Sequence, residues 1–352
     1  MTDRTTRRRR WLSGAALGGL AALGAGCGND NHQNTLDPKG PAAQKIMDLF
    51  TPFFWVAVVI GVGVIGTVVL FAVKFRYRAG KNDNPVQVHG NTRLEIGWTI
   101  APALILFVMA VPTIGTIVDL SHKPKGDGVE ITVTGKQWWW QYEYKQEAIV
   151  TANEMHIPVG RPVYLRLQSD NVIHSFWVPN LAGKKDVVPG RTNTLTIEAD
   201  TPGVYLGQCA EYCGLSHANM RLRVSAQTEA DYEAWVAGQQ RILTGADVEF
   251  VTRPADKGGL IQKYGCTGCH SFNGVEGATA RVGPNLTHVA GRTTFAGAIY
   301  DLNRENLRKW VYDAPSRKPN EYKRGVGMPS FKEQGITPEE VDKIVDYLLT
   351  LT

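Results

Sequence analysis

"QCAEYCGLSHANM", residues 208–220, sets Cys209, Cys213, His217 and Met220 within thirteen positions. Taken alone, the stretch reads as a disulfide loop, a zinc site or a seat for copper. The residues around it bear on the choice. His174 opens "HSFWVP" upstream, where a neighbouring strand would bring it to the two cysteines. The set is then two thiolates, two imidazoles and one thioether. Thiolate and thioether are soft donors that favour copper, and imidazole also accepts copper. Zinc rarely takes a methionine. A mononuclear blue-copper site needs one cysteine, two histidines and a weak axial ligand. A second cysteine lets both sulfurs bridge two coppers, each keeping one histidine and one weaker ligand. An electron shared by two coppers changes the charge on each only slightly, which suits a relay.

A second motif lies downstream. "CTGCH", residues 266–270, is C-x-x-C-H. Cys266 and Cys269 at that spacing can form thioethers to the haem vinyl groups, and His270 is placed to bind the iron. A thioredoxin-like reading needs a βαβ context, and none surrounds it. For the sixth ligand, Met328 in "GVGMPSF" is the one methionine after residue 270, and His288 is its rival. Thioether ligation raises the haem potential and suits electron transfer. The fifth cysteine, Cys27, stands alone. Five cysteines grouped in this way do not make a disulfide framework.

The same chain carries two long apolar runs. Residues 53–73 and 96–118 hold no charge over 21 and 23 positions, each enough to cross a bilayer as a helix. Pro102 and Pro112 in the second are tolerable where neighbouring helices cover the freed carbonyls. The loop between the runs carries Lys74, Arg76, Arg78, Lys81 and Arg93, and positive loops stay cytoplasmic. The helices therefore read as a hairpin with the long C-terminal part outside, in an oxidising compartment. Residues 1–27 read as an export signal of probable lipoprotein type, with a basic "RRRRW", a small apolar run and Cys27. An uncleaved or differently cleaved signal is the alternative. The formal charge of +5 owes much to Arg7–Arg10 and does not indicate nucleic-acid binding.

From 127 to 225 the pattern turns to short β-runs, among them "VEITVTG", "WWWQYEY", "PVYLRLQS", "TNTLTIEA" and "GVYLGQ". Strands at this spacing predict a Greek-key β-sandwich. A helix is expected over 228–240, a polar linker to about 255, and amphipathic helices in "DLNRENLRKWVYDA" and "TPEEVDKIVDYLLTL". The predicted fold class is a multidomain membrane protein: a two-helix transmembrane hairpin, a Greek-key β-sandwich that is cupredoxin-like by resemblance, and an all-α haem domain that resembles class I cytochrome c. The expected boundaries are a signal over 1–27, an extracytoplasmic segment over 28–45 and a hairpin over 46–120, with helices at about 50–75 and 94–118. The sandwich then takes 121–226, a helix and linker 227–255, and the haem domain 256–352. In strand alternation Trp138 and Trp140 share one face and Trp139 takes the other, so at least one tryptophan is expected to meet a partner, the haem domain or the membrane surface.

"QCAEYCGLSHANM" resembles the CuA loop of subunit II of haem–copper oxidases. "GKQWWWQYEY" at 135–144 is similar to that family's aromatic segment and "LEIGWTIAPALIL" at 94–106 to its second helix. "GPNLTHVAGR" and "MPSF" resemble class I cytochrome c, which matches the fused form of subunit II. The resemblance implies that Cys209 and Cys213 bridge two coppers, that His174 and His217 bind one each, and that Met220 is a weak ligand. It implies that Glu211 offers its backbone carbonyl to copper and its carboxylate to a magnesium site shared with subunit I. Trp138 matches the aromatic residue through which electrons reach CuA, and Glu95 the carboxylate at the start of a proton pathway. The implied cofactors are a binuclear CuA centre and covalent haem c. The implied partners are oxidase subunit I, subunit III, a cytochrome c or bc-type donor, and the lipid bilayer of a bacterial cell membrane that the chain crosses more than once.

The expected function is electron transfer from a donor through haem c and CuA to subunit I, within a proton-pumping oxidase. A CuA subunit of a membrane nitric oxide reductase is the alternative. A copper-delivery protein would carry a proline after the second cysteine, where this chain has Gly214, and would have no use for a haem. Nitrous oxide reductase would need a histidine-rich catalytic domain, and this chain has eight histidines in all.

Overall fold

The computed structural model describes residues 32–78, 87, 89–121 and 127–352. The signal segment, Cys27 and the loop residue Lys81 lie outside the described residues.

Two long helices come first. Helix α1 spans Pro41–Lys74 and α2 spans Thr92–Ser121. Both are long and apolar enough to cross a membrane, and neither buries that apolar surface inside the protein. An all-round apolar helix with no protein cover needs lipid as its solvent. Helix α1 begins at Pro41, well ahead of the expected start near 50. Proline at the first helical position is preorganised for the turn, and Ala43 is buried there. Lys45 pairs with Asp119, which ties the start of α1 to the end of α2. The segment before α1 lies along the β-domain. The Asn180 side chain donates to the carbonyls of Asn34 and Asp37, and the Asp200 amide donates to Lys39 O at 2.8 Å. The ends of the hairpin nearest Pro41 and Ser121 thus lie on the side that carries the β-domain.

That domain is a sandwich of two five-stranded sheets. The strands are β1 (Val129–Lys136), β2 (Trp139–Tyr144), β3 (Ile149–Ala152), β4 (Glu154–Pro158), β5 (Val163–Ser169), β6 (His174–Trp177), β7 (Lys185–Val187), β8 (Asn193–Ile197), β9 (Gly203–Cys209) and β10 (Arg221–Gln227). One sheet runs β3-β2-β1-β5-β8 and the other β4-β10-β9-β6-β7. Trp140, Tyr142, Met155, Leu165, Leu167 and Phe176 meet between them and are fully buried. Burying a side chain of this size stabilises by about 1.5–3 kcal/mol. Trp140 meets Phe176 edge-on with ring centres 5.5 Å apart. Strands β3, β4 and β7 were not singled out in the sequence, because runs of three to five residues carry little periodicity.

Helix α3 (Glu229–Gln239) starts where expected, capped by the Thr228 hydroxyl. The stretch expected to be a plain linker up to 255 is partly helical. Helix α4 (Ala246–Thr252) buries Val251, and its Asp247 carbonyl accepts from the Tyr347 hydroxyl. Seven residues are too few to display a helical period, so packing rather than local pattern sets this element. The C-terminal domain adds α5 (Leu260–Lys263), a ribbon of β11 (Thr294–Phe295) and β12 (Tyr300–Asp301), α6 (Arg304–Arg317) and α7 (Pro338–Leu348). Helix α6 kinks at Asp313, two residues before Pro315. Helix α7 opens with Pro338 and a capping box between Thr337 and Glu340. Leu307, Val311, Phe331, Ile344 and Val345 form its core.

Candidate functional site

The copper-type ligand set is assembled by strand register. Phe176 of β6 pairs with Cys209 of β9. His174 opens β6 and Cys209 closes β9, so one antiparallel pair brings the two side chains to the same end of the sheet. The Cys209 amide donates to Met220 O at 2.8 Å, which closes the loop 210–219 into a pinched excursion between β9 and β10. Gly135 of β1 lies beneath His174. A Cβ there would sit 2.8 Å from the imidazole, so only glycine leaves room for the ring.

The side chains converge. Cys209 Sγ lies 3.8 Å from Cys213 Sγ and 3.8 Å from His174 Nδ1. Cys213 Sγ lies 3.6 Å from His217 Nδ1 and 3.8 Å from Met220 Sδ. The Glu211 carbonyl is 3.2 Å from Cys209 Sγ. His174, Cys209 and Cys213 are buried, with ligand atoms all within 4.8 Å of one another. Every residue that the sequence gathered for this site is therefore within reach of the two sulfurs. His174 Nε2 donates to Asn171 Oδ1 at 3.0 Å, which leaves Nδ1 as the acceptor facing Cys209. The Cys213 thiol, together with His174, pulls the Cys209 pKa far down, and the same contact with burial drives Cys213 up. The pair thus favours losing one proton and sharing the other. A soft metal that displaces the second proton would be bound by both sulfurs.

The haem-type residues line a cavity of about 210 Å³ in the C-terminal domain. Cys266, Cys269, His270 and Met328 all face it. His270 Nδ1 donates to Pro284 O at 2.7 Å, leaving Nε2 free as a ligand. Desolvation lowers the His270 pKa, which favours the neutral ring. Gly283 is required by contact, since a Cβ there would lie 2.5 Å from the His270 ring. The rival His288 is engaged elsewhere: Nδ1 is 3.0 Å from Thr352 O and Nε2 is 2.9 Å from Arg241 O.

The cavity is not closed by the C-terminal domain alone. Gln137, Trp138 and Trp139 of the sandwich form part of its wall. Trp138 and Trp139 are buried, as is Trp140. Trp138 lies in the turn before β2, outside any strand alternation; it joins the sandwich core with Trp140, and both Trp138 and Trp139 line the cavity. It is the chain's own second domain that covers this aromatic run.

Three residues that sequence reasoning missed shape the junction. Glu154, buried at the start of β4, accepts from the amides and hydroxyls of Thr293 and Thr294. Lys318, buried beyond α6, donates to Trp138 O at 2.6 Å and to Ala296 O at 2.8 Å. Burial brings its pKa down to about 7. Arg292 lines the haem-type cavity, and its buried Nε has no partner among the described residues. Glu154 and Lys318 carried no local sequence signal. Arg292 stood inside "GPNLTHVAGR" without being singled out.

Glu95 lies in the first turn of α2, far from these centres, and is exposed. Its Oε1 accepts from the Asn91 amide at 3.2 Å.

Comparison with known proteins places this architecture. Residues 29–115 match the cytochrome c oxidase subunit II transmembrane domain, 145–227 its periplasmic domain, and 255–352 cytochrome c. Cytochrome c oxidase subunit 2 of Alkalihalophilus pseudofirmus is 38% identical over 333 residues, covering 93% of each chain. The chain belongs to the cytochrome c oxidase subunit II family. The subunit 2 of Bacillus sp. strain PS3 is 34% identical over 358 residues, covering 97% of each chain. Among solved structures, the periplasmic domain of subunit II from Bradyrhizobium japonicum is 31% identical, with a TM-score of 0.32 over 33% of this chain and 96% of that one. The chain is thus a subunit II with a fused cytochrome c domain, part of a membrane-bound oxidoreductase of electron transport. The periplasmic-domain match implies CuA copper and the cytochrome c match implies haem c.

Proposed function

We propose that this chain is the electron-transfer subunit of a proton-pumping terminal oxidase. It would take electrons from a cytochrome c or bc-type donor at haem c and deliver them through CuA to subunit I, where oxygen is reduced to water. One observation carries this route. Trp138 lines the haem-type cavity, and its indole nitrogen donates to Cys213 O at 3.0 Å. A single side chain thus touches both the cavity and the copper-type loop. Trp138 is only 4% exposed, so a donor outside the chain meets the haem domain before it.

The residues present fit both groups. Cys209, Cys213, His174 and His217 would hold the copper pair, with Met220 and the Glu211 carbonyl as the weaker donors. Cys266 and Cys269 would anchor the haem, and His270 and Met328 would hold its iron. The unpartnered Arg292 Nε in the cavity suits a haem propionate. The bound metals supply reversible one-electron redox. The protein's part is to fix the ligands, exclude water and set the spacing between the centres.

Further assignments follow from the same reading. The Glu211 carboxylate serves a magnesium ion at the boundary with subunit I. Glu95, at the cytoplasmic end of α2, leads protons toward subunit I. The sandwich and haem domain stand on the extracytoplasmic side of a bacterial membrane that α1 and α2 cross. The test uses the full chain assembled with subunit I. Metal analysis should give a pair of coppers for each haem iron. Electron paramagnetic resonance should show one electron shared by two copper nuclei, and an electron placed on the haem by a light pulse should appear on the copper. A chain that takes haem but no copper would leave Cys209 and Cys213 as a thiol pair and defeat the reading.

A further inference from the structure

Lys318 is 5% exposed, and no carboxylate pairs with it among the described residues. A buried cation without an anionic partner is costly to keep unless its hydrogens are well used. Two of them are: Nζ donates to Trp138 O at 2.6 Å in one domain and to Ala296 O at 2.8 Å in the other. The following residues continue the junction. The Pro319 carbonyl accepts from the Ser216 hydroxyl, next to His217 in the copper-type loop. The Asn320 side chain donates to Met328 O at 2.9 Å, holding the segment that supplies the axial methionine. Three consecutive residues therefore touch Trp138, the 208–220 loop and the Met328 loop.

The junction is also tight. Gly297 has φ +83°, and a Cβ there would lie 2.5 Å from Lys318 Nζ and 2.8 Å from Asn219 O. Its carbonyl accepts from the Arg221 amide at 3.0 Å, just past the copper-type loop. An amino group shared by two carbonyls fixes both acceptors at once, and its hydrogen bonds are stronger when it is charged.

We propose that Lys318 is an interdomain positioning residue, clamping Trp138 of the copper domain to the haem domain and so fixing the spacing across which the electron passes. This inference rests on the haem-to-copper route proposed above. In that transfer one electron leaves ferrous haem, which becomes ferric, and enters the oxidised copper pair. No bond forms or breaks. Lys318 lines the haem-type cavity beside Trp138 but is not among the metal ligands, and it acts through Trp138.

The test is Lys318→Met in the complete oxidase, which keeps the length and apolar body of the side chain but removes the ammonium. Metal content and the separate spectra of the two centres should stay native. Amide hydrogen exchange over residues 136–140 and 293–299 should speed up by roughly ten- to a hundredfold. The haem-to-copper rate after a light pulse should fall by roughly ten- to a hundredfold. Magnetic coupling between haem iron and the copper pair should weaken, a change that mere loss of fold stability would not produce in a complex with native centres. Native exchange, or faster exchange with a native transfer rate, overturns the proposal. If Lys318→Met does not assemble, Lys318→Gln replaces it. Its amide is uncharged and one bond shorter, so smaller changes of the same sign are expected, and their absence is equally fatal. A wild-type complex that moves no electron from haem to copper defeats the route. Lys318 as a domain clamp would then still be judged by the exchange data alone.

Discussion

The indole nitrogen of Trp138 donates to the carbonyl of Cys213 at 3.0 Å, and the Gln137 side chain donates to the same oxygen at 2.7 Å. Two residues that line the haem-type cavity thus hold the backbone of a copper-type ligand. Trp138→Phe keeps an aromatic ring in the wall and removes one of those donors. The loss is about 1 kcal/mol, with Gln137 still in place. Copper content should be retained, and the haem-to-copper rate should fall by roughly several-fold. Pulse reduction of the haem measures it, and an unchanged rate would take the indole off the route.

Met328 is part of a loop held by Asn320 and faces the cavity opposite no other free thioether among the described residues of the haem domain. Met328→Leu should leave haem attached through Cys266 and Cys269. The iron would lose its soft axial donor, and the potential should drop on the order of 0.1 V or more. A redox titration followed by absorbance decides the matter. An unchanged potential would assign the sixth ligand elsewhere.

Glu154 puts a buried carboxylate against the amides and hydroxyls of Thr293 and Thr294. Glu154→Ala leaves the buried amide and hydroxyl of Thr294, and those of the less buried Thr293, without their acceptor. Opening of the 293–295 segment should become easier by about 3 kcal/mol. A chain of several domains does not unfold in one step, so hydrogen exchange at that segment is a better measure than a single melting temperature. Copper and haem spectra should be unaffected.

Glu340 is held at a pKa of about 2 by Lys263, then by the Tyr264 hydroxyl and the Thr337 amide. Its ordinary value is 4.5. A carboxylate whose folded pKa is depressed adds stability that is complete above the ordinary value. That stability is lost as pH falls through 4.5 toward 2. Lys263 is close to half exposed, so solvent screening limits the gain to about 1 kcal/mol. Thermal melting of the haem-domain absorbance should therefore fall more steeply between pH 5 and 2 in the native chain than in Glu340→Gln. Parallel curves would count against the pair.

Both metal motifs were legible in the sequence because their ligands lie close together along the chain. Cys209 to Met220 and Cys266 to His270 are each one short loop, and the chemistry of soft donors and thioethers follows from residue type. The two apolar helices were legible for a similar reason, since composition over one element is a local property. His174 and Met328 lie farther off, yet few residues of the right type competed with them. Elements without a local pattern were less visible: α4 and strands β3, β4 and β7 exist because neighbours cover them.

The sequence by itself determined which chemistries this chain can host and on which side of a membrane they would stand. Only the tertiary structure decided how the two centres face each other. Lys318 lies 180 residues from Trp138, and Glu154 lies 140 from Thr294. Contacts that distant arise when two folded surfaces dock, and no periodicity or spacing records them. The same docking makes Trp138, a member of the sandwich core, part of the haem-type cavity wall as well. Its role depends on the domain that covers it, which is a property of packing between domains rather than of any stretch of chain.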